Sequence, residues 1–348
     1  MMKAAIEQLI KHQDLSYQES YQAVKAMMSG QVSQAQMAAY LTALAIKGAS
    51  DQEIAGAAAA MRDQAKALET DRDTLEIVGT GGDQSYSFNI STTASLIIAA
   101  AGVPVTKHGN RSASSKSGAA DCIEALGINL YQDPDLAKQL LDQVGICFLF
   151  AQNYHLSMKN VSGVRKDLGI KTVFNILGPI TNPAKPKYQV LGVYQEDLIQ
   201  PMAKVIKNLG VERGLVVYGQ DGMDEISISA PTSALFFDGD YEESFTIKPE
   251  DYGFSNYQKT DIVGGTPADN AQITIDILTG KEHGAKRDIT ILNAAAGLYA
   301  ARKVASLEAG IDLARQIIDS GAAYQLLQDY ISASQEGVAH DLEAVSLT

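Results

Sequence analysis

The chain runs to 348 residues, 46% of them apolar, enough to bury a large core and to divide into one large and one smaller domain. Its 28 Lys and Arg against 41 Asp and Glu leave a net charge of −13, which argues against a nucleic-acid-binding surface and requires a local basic cluster for any anionic ligand. Cys122 and Cys147 are too few for a disulfide framework, and without a signal-peptide core or a membrane-spanning apolar run a cytoplasmic, membrane-free location is expected.

Residues 1–70 read as helical. Ser16 with Glu19, Ser33 with Gln36, and Ser50 with Glu53 are spaced as capping boxes, each leading into an apolar-periodic run, and Gly30 and Gly48 fall where helices should stop. Roughly four short helices are therefore expected. After Asp71-Arg72-Asp73 the pattern changes. A strand begins at Leu75–Val78, and a helix over about Thr92–Ala101 follows. Strands at Val103–Lys107, Cys147–Ala151 and Gly214–Tyr218 then alternate with helices near Gly118–Leu126 and Asp197–Leu209. That alternation predicts a mostly parallel sheet with helices on its faces. Residues 231–269 read as an antiparallel or irregular excursion, and the tail returns to helices at Ile291–Lys303, Ser306–Ser320 and Ala322–Ala333. The expected fold class is α/β, a small N-terminal helical bundle hinged to a larger α/β domain with a mostly parallel central sheet.

Chemistry concentrates in four stretches. The first is Val78-Gly79-Thr80-Gly81-Gly82-Asp83, followed by Ser87-Phe88-Asn89-Ile90-Ser91-Thr92. Taken alone, the glycine loop could be no more than a tight turn, and a single hydroxyl would suffice to cap the helix. So many hydroxyl and amide groups at one helix start, directly after a glycine loop, favour a ligand rich in acceptor oxygens. The second stretch is Lys107-His108-Gly109-Asn110-Arg111, then Ser112, Ala113, Ser114, Ser115, Lys116 and Ser117, which repeats the anion-site logic. The third, Asp221-Gly222-Met223-Asp224-Glu225, follows an apolar strand, and its adjacent carboxylates suit Mg²⁺ shared with a phosphate ligand. In the fourth, Arg165 lies between His155-Leu156-Ser157-Met158-Lys159 and Asn175-Ile176-Leu177-Gly178-Pro179, a setting suited to a buried guanidinium that reads a carboxylate. Together they point to a phosphorylated or pyrophosphorylated small molecule.

In the order and spacing of these four motifs, over nearly its whole length, the chain resembles the anthranilate phosphoribosyltransferase family. The resemblance implies a fold like that of class II nucleoside phosphorylases, with residues 1–72 as the helical domain, completed by helices around 160–190, and residues 73–348 as the α/β domain. It implies transfer of the phosphoribosyl group of phosphoribosyl pyrophosphate to the amine of anthranilate, a step of tryptophan synthesis, by a homodimer joined through the helical domain. The absence of Trp fits an enzyme made when tryptophan is scarce.

Carried over by motif, Gly79, Gly82, Asp83 and Ser87 should line the phosphoribosyl pyrophosphate site. Asn89, Ile90, Ser91 and Thr92 should hold the pyrophosphate. The loop Lys107, His108, Gly109, Asn110, Arg111, Ser112, Ala113, Ser114 and Ser115, with Ala119 beyond it, should close over the phosphates. Ser91, Asp224 and Glu225 should bind Mg²⁺, as two ions with the donor. Gly79, Asn110, His155 and Arg165 should meet anthranilate. The chain departs from the family pattern at Ser87 (commonly Thr), Ala119 (Ser), Leu156-Ser157 (Pro-Ala), Gly163 (Pro) and Lys171 (Arg). Restoring Pro at 163 is expected to rigidify the approach to Arg165 if its amide is unbonded.

No nucleophile–base pair is evident, and none is needed. Ribose C1 can part from pyrophosphate through an oxocarbenium-like state once the leaving charge is neutralised, and the amine of anthranilate already carries a free lone pair. Its proton could pass to solvent, to the substrate's own carboxylate or to His108. A pyrimidine nucleoside phosphorylase is the alternative enzyme, but the metal motif and the length speak against it. A nucleic-acid-binding relative of the same fold would need a basic surface that a net charge of −13 does not offer.

Overall fold

A computed structural model describes residues 1–112 and 115–346, with side chains described as far as residue 336. The chain opens with helices α1 (Met2–Ile10), α2 (Tyr17–Met28), α3 (Gln34–Lys47) and α4 (Asp51–Asp63). Ser16 and Ser50 form complete capping boxes with Glu19 and Glu53. The third predicted box is only half made. Ser33 accepts the Gln36 N–H, but the neutral Gln36 side chain takes the Ser33 hydroxyl and does not reach back to the backbone. Glu53 does more than cap. Its buried carboxylate also accepts from the Leu15 amide at 2.9 Å and pairs with Lys47 at 2.8 Å, tying three helix ends into one node.

The rest alternates as expected: β1 (Leu75–Gly79), α5 (Ile90–Ala100), β2 (Val105–Gly109), α6 (Ala119–Ala125), α7 (Pro134–Gln143), β3 (Ile146–Phe150), α8 (Ala151–Tyr154), α9 (Lys159–Leu168), α10 (Phe174–Leu177), β4 (Tyr188–Gly192), α11 (Ile199–Asn208) and β5 (Arg213–Gly219). The excursion is a hairpin, β6 (Thr232–Asp238) and β7 (Tyr241–Ile247), and the tail is α12 (Pro267–Leu278), α13 (Ala285–Ala300), α14 (Leu307–Asp319) and α15 (Ala322–Ser346). Strand β4 and helices α7 and α12 were not anticipated. Both helices carry plain start signals: Asp133 before Pro134 accepts the Leu136 N–H, and Thr266 before Pro267 makes a full box with Asp269.

The seven strands form one sheet in the order β3-β2-β1-β4-β5-β6-β7, parallel from β3 to β5 and antiparallel beyond. Alternating residues split its two faces. Leu75, Ile77, Leu215 and Val217 join α5, α13 and α14 in one core. Leu191, Val216, Leu235 and Phe237 join α11, the N-terminal helices and Val161, Val164, Phe174 and Leu177 in the other. Cys122 and Cys147 are buried free thiols, as expected. Among the described residues no helix is long and apolar enough to cross a membrane.

Candidate active site

The predicted residues converge at the carboxyl ends of β1, β4 and β2. Gly79 ends β1 and Gly192 ends β4, and a Cβ on either would collide with Asp224. Only glycine lets the acidic motif settle over both strand ends. Gly81 and Gly82 have φ of +73° and +80°, and the Gly81 amide donates to the Asp224 carboxylate at 2.5 Å. The glycine loop thus wraps the acidic motif itself. The loop's far side is pinned too. Ser227 and Ser229 donate to Asp221 at 2.8 and 2.6 Å, and the buried Asn293 of α13 reads both the N–H and the C=O of Ile226.

Asp83 accepts the Ser85 N–H through one oxygen and leaves the other buried without a partner. It faces Asp224 and Glu225. Burial, then the neighbouring Asp83 and Glu225, holds the Asp224 carboxyl well above the usual carboxylate range. Burial also pushes Glu225 up to about 7, against the opposing pull of Lys107 and Ser91. Three clustered carboxyls and one amine are short of positive charge. Among the described residues no group of three such side chains closes a metal cage alone, so a hard cation here would need phosphate oxygens as well. The partnerless Asp83 oxygen and the raised Asp224 and Glu225 fit such a shared Mg²⁺.

Helix α5 starts at Ile90, so Asn89 is its N-cap residue, yet Asn89 makes no side-chain cap bond. Its carboxamide is instead held by Ser117 and Asn270 at 3.1 and 2.8 Å. Ser91 and Thr92 do not cap the helix either. Ser91 points to Lys107, whose Nζ is 3.3 Å from its hydroxyl, while Ile90 and Thr92 are buried. The first turn thus has no side-chain cap from Asn89; Ile90 N–H bonds Phe88 O at 2.8 Å and Ser91 donates to the Glu225 carboxyl, so the acidic motif itself sits at the positive end of the helix. Beside Asn89, a cavity of about 340 Å³ is lined by Ser87, Ser115, Lys116, Ser117 and Asn270 among others.

The basic loop is only partly what the sequence suggested. Lys107 is buried and aimed at the site, but Arg111 is not a free cation. It forks onto Asp121 at 2.8 Å and Glu124 at 2.8 and 3.1 Å. Asp121 also accepts the Ser112 and Gly118 amides, so one carboxylate organises both ends of the loop. Asn110 accepts from its neighbour Arg111 and from Gln152. Gly109 packs against Ala119, the first residue of α6. Ala113 and Ser114 lie outside the described residues.

On the sheet's other face His108 and His155 pack with ring centroids 5.1 Å apart and their planes tilted by 57°. His108 Nε2 and both His155 nitrogens lack partners. Burial holds His108 well below its ordinary range and brings His155 down to about 4, so both rings are neutral near pH 7. Arg165 lies half-buried on α9, 5.4 Å from the Phe174 ring, with no ion pair among the described residues. Gly163 sits inside α9 without positive φ, and a Cβ there would meet nothing within 4 Å. The expected gain from Pro at 163 therefore does not apply, because an interior helical amide is a donor that Pro would delete. Sequence reasoning missed Glu76, a fully buried carboxyl in β1, although an acidic residue inside an apolar strand was itself the signal.

Two family models match the chain: the helical bundle domain of a glycosyl transferase family over residues 3–65, and the a/b domain of that family over residues 71–324. The chain is 53% identical over 331 residues to an anthranilate phosphoribosyltransferase of Methanobrevibacter smithii, covering 95% of this chain and 98% of the relative. The crystal structure of anthranilate phosphoribosyltransferase from Thermus thermophilus superposes with a TM-score of 0.90 at 41% identity, covering 95% of this chain and 99% of that one. The Saccharomyces cerevisiae enzyme in complex with PRPP and Mg gives 0.89 at 28% identity, covering 96% and 98%.

Proposed function

This chain is an enzyme of the anthranilate phosphoribosyltransferase family, and from that premise we propose that it transfers the 5-phosphoribosyl group of phosphoribosyl pyrophosphate to the amine of anthranilate. The products are N-(5-phosphoribosyl)anthranilate and pyrophosphate, and the step is the second of tryptophan synthesis from chorismate. The observation that carries this reading is the cation-poor cluster of Asp83, Asp224 and Glu225, which faces Lys107 at the positive end of α5. It supports a site in which Mg²⁺ and a pyrophosphate complete each other's charge. The Mg complex of the yeast relative supports the same reading.

Asp224, Glu225 and Ser91 are the groups that would hold Mg²⁺, which we take as two ions with the donor. When bound, Mg²⁺ offsets charge on the departing pyrophosphate. The chain's own residues do the rest. Lys107 and the positive end of the α5 dipole stabilise the phosphates where negative charge builds up, as pre-aimed charge that needs no reorganisation. Arg165, cationic and without an ion pair among the described residues, clamps the carboxylate of anthranilate and turns its amine toward ribose C1. His108, neutral because it is buried, is one acceptor the chain offers for the amine proton; solvent and the substrate's carboxylate are the others. We also propose division into a helical domain of residues 1–72 and an α/β domain from 73 onward, and a homodimer through the former. The exposed Ile10 and Ile46 on the packed helices α1 and α3 support that dimer.

The test is the loss of anthranilate fluorescence with phosphoribosyl pyrophosphate present and Mg²⁺ titrated. Mg²⁺-dependent consumption of anthranilate is expected. Phosphorolysis of a pyrimidine nucleoside with no anthranilate turnover would refute the reading.

A further inference from the structure

Strand β1 is paired to β4 over five residues and β2 to β3 over five, yet β1 and β2 share one register pair, Leu75 with Val105. The ladder starts normally, with Leu75 N–H donating to Pro104 O at 2.8 Å. A parallel ladder continued from there would join Thr106 N–H to Leu75 O, then Ile77 N–H to Thr106 O, then His108 N–H to Ile77 O. That last bond is replaced. The His108 amide donates to the carboxylate of Glu76, the neighbour of Ile77, at 3.0 Å, and Ile77 O accepts from the ammonium of Lys107, the neighbour of His108, at 2.7 Å. One step earlier, Thr106 O accepts from Asn182 Nδ2 at 2.8 Å.

Each half of the missing rung is thus satisfied by a charged side chain from the opposite strand. Both are buried, Glu76 at 0% and Lys107 at 2% exposure, so neither charge is an accident of a solvated edge. Burying a carboxylate and an ammonium is costly unless they compensate one another and are hydrogen-bonded. The same function at this place could have been met by a plain backbone ladder, which costs no desolvation. The exchange opens the sheet at the carboxyl ends of β1 and β2. There it leaves the Lys107 amine 3.3 Å from Ser91 at the start of α5.

We propose that Glu76 is a positioning residue: with Lys107 it forms a side-chain wedge that holds β1 and β2 apart and thereby aims Lys107 and the loop after it at the donor's phosphates. The inference rests on the reading of this end of the sheet as the phosphate site. Glu76 touches no substrate in this scheme; it acts through the His108 amide that it holds, while Lys107 faces a second carboxyl, Glu225, as well. What it needs is an acceptor oxygen of the right reach.

Titration calorimetry of phosphoribosyl pyrophosphate with Mg²⁺ into the full chain, Glu76→Gln and Glu76→Met tests this. Glu76→Gln keeps an acceptor and should bind within about threefold of the parent, whereas Glu76→Met, of equal length but without an acceptor, should bind about tenfold or more weakly. The anthranilate KM should move much less than the donor affinity, a split that general loosening would not produce. Parental affinity in Glu76→Met, or equal losses in both variants, would overturn the wedge. Should Glu76→Met not fold, a crystal structure of Glu76→Gln decides: the His108 N–H on the substituted side chain's oxygen supports the wedge, and a β1–β2 ladder extended through Ile77 and His108 overturns it. A parent chain that does not bind the donor refutes the reading of the site, and the wedge with it; binding by the parent with unaffected variants refutes the wedge alone.

Discussion

Replacing Arg165 by Ala separates recognition of the acceptor from everything else at this site. The guanidinium is half-buried and carries no ion pair among the described residues, so its charge is uncommitted until a ligand arrives. Burial lowers its pKa without displacing it from the cationic form. A charge-assisted hydrogen bond contributes about 1.5–3 kcal/mol, which corresponds to roughly a 10- to 150-fold rise in the anthranilate KM on truncation. The fold should hardly notice. Within the protein, truncation removes the cation–π interaction with Phe174, worth about 0.5–1 kcal/mol, and for a chain of 348 residues that is about 1 °C in Tm. Steady-state fluorescence at saturating donor, then at saturating anthranilate, gives both KM values, and calorimetry gives Tm. A matching rise in both KM values, or a drop in Tm of several degrees, would show that Arg165 supports the structure and does not read the acceptor.

The remaining predictions are independent of that one. Asp224→Asn with Glu225→Gln should nearly abolish turnover with circular dichroism unchanged, and raised Mg²⁺ should restore part of it; full activity at low Mg²⁺ refutes the assignment. His155 has its folded pKa depressed to about 4 from 6.5, so the stability it contributes is present above pH 6.5 and is lost as pH falls toward 4. Between pH 7 and 5 that is about 2 kcal/mol, or about 3 °C, and His155→Asn should flatten this part of the Tm–pH curve; an unchanged slope counts against it. Gly163→Ala should stabilise by about 0.5–1 kcal/mol, since the position is helical and open, and a lower denaturation midpoint would show that the glycine is needed.

What could be read from the sequence was whatever local chemistry decides. Ser16 and Ser50 announce their helices because the capping glutamates are three residues away. The glycine loop and the Asp224-Glu225 pair follow the carboxyl ends of β1 and β5, and Lys107 lies in the last half of β2, so the sheet brings them to one end. Strand β4 was missed because five residues of mixed polarity become a strand only when β1 and β5 flank them. The ion pairs of Arg111 were not legible because its partners, Asp121 and Glu124, sit ten and thirteen residues on and meet it only once α6 has formed. Asn89 looked like one donor among several, and its bond to Asn270 spans 181 residues. Long-range partners decide which polar group is free, and spacing does not carry that information.

The absent side-chain cap on α5 has a consequence for how this protein can change. An aspartate or serine bonded at that helix start is the kind of substitution that raises heat resistance in most proteins, commonly by about 1 kcal/mol. Here it would add a further acceptor beside Asp224 and Glu225, where carboxyls already crowd one another. On the proposed reading of this end of the sheet, thermal tolerance and donor affinity would compete at one helix start. Selection for a sturdier apoprotein at this spot would then work against the proposed reaction, while bound donor would itself supply stability that the empty protein lacks.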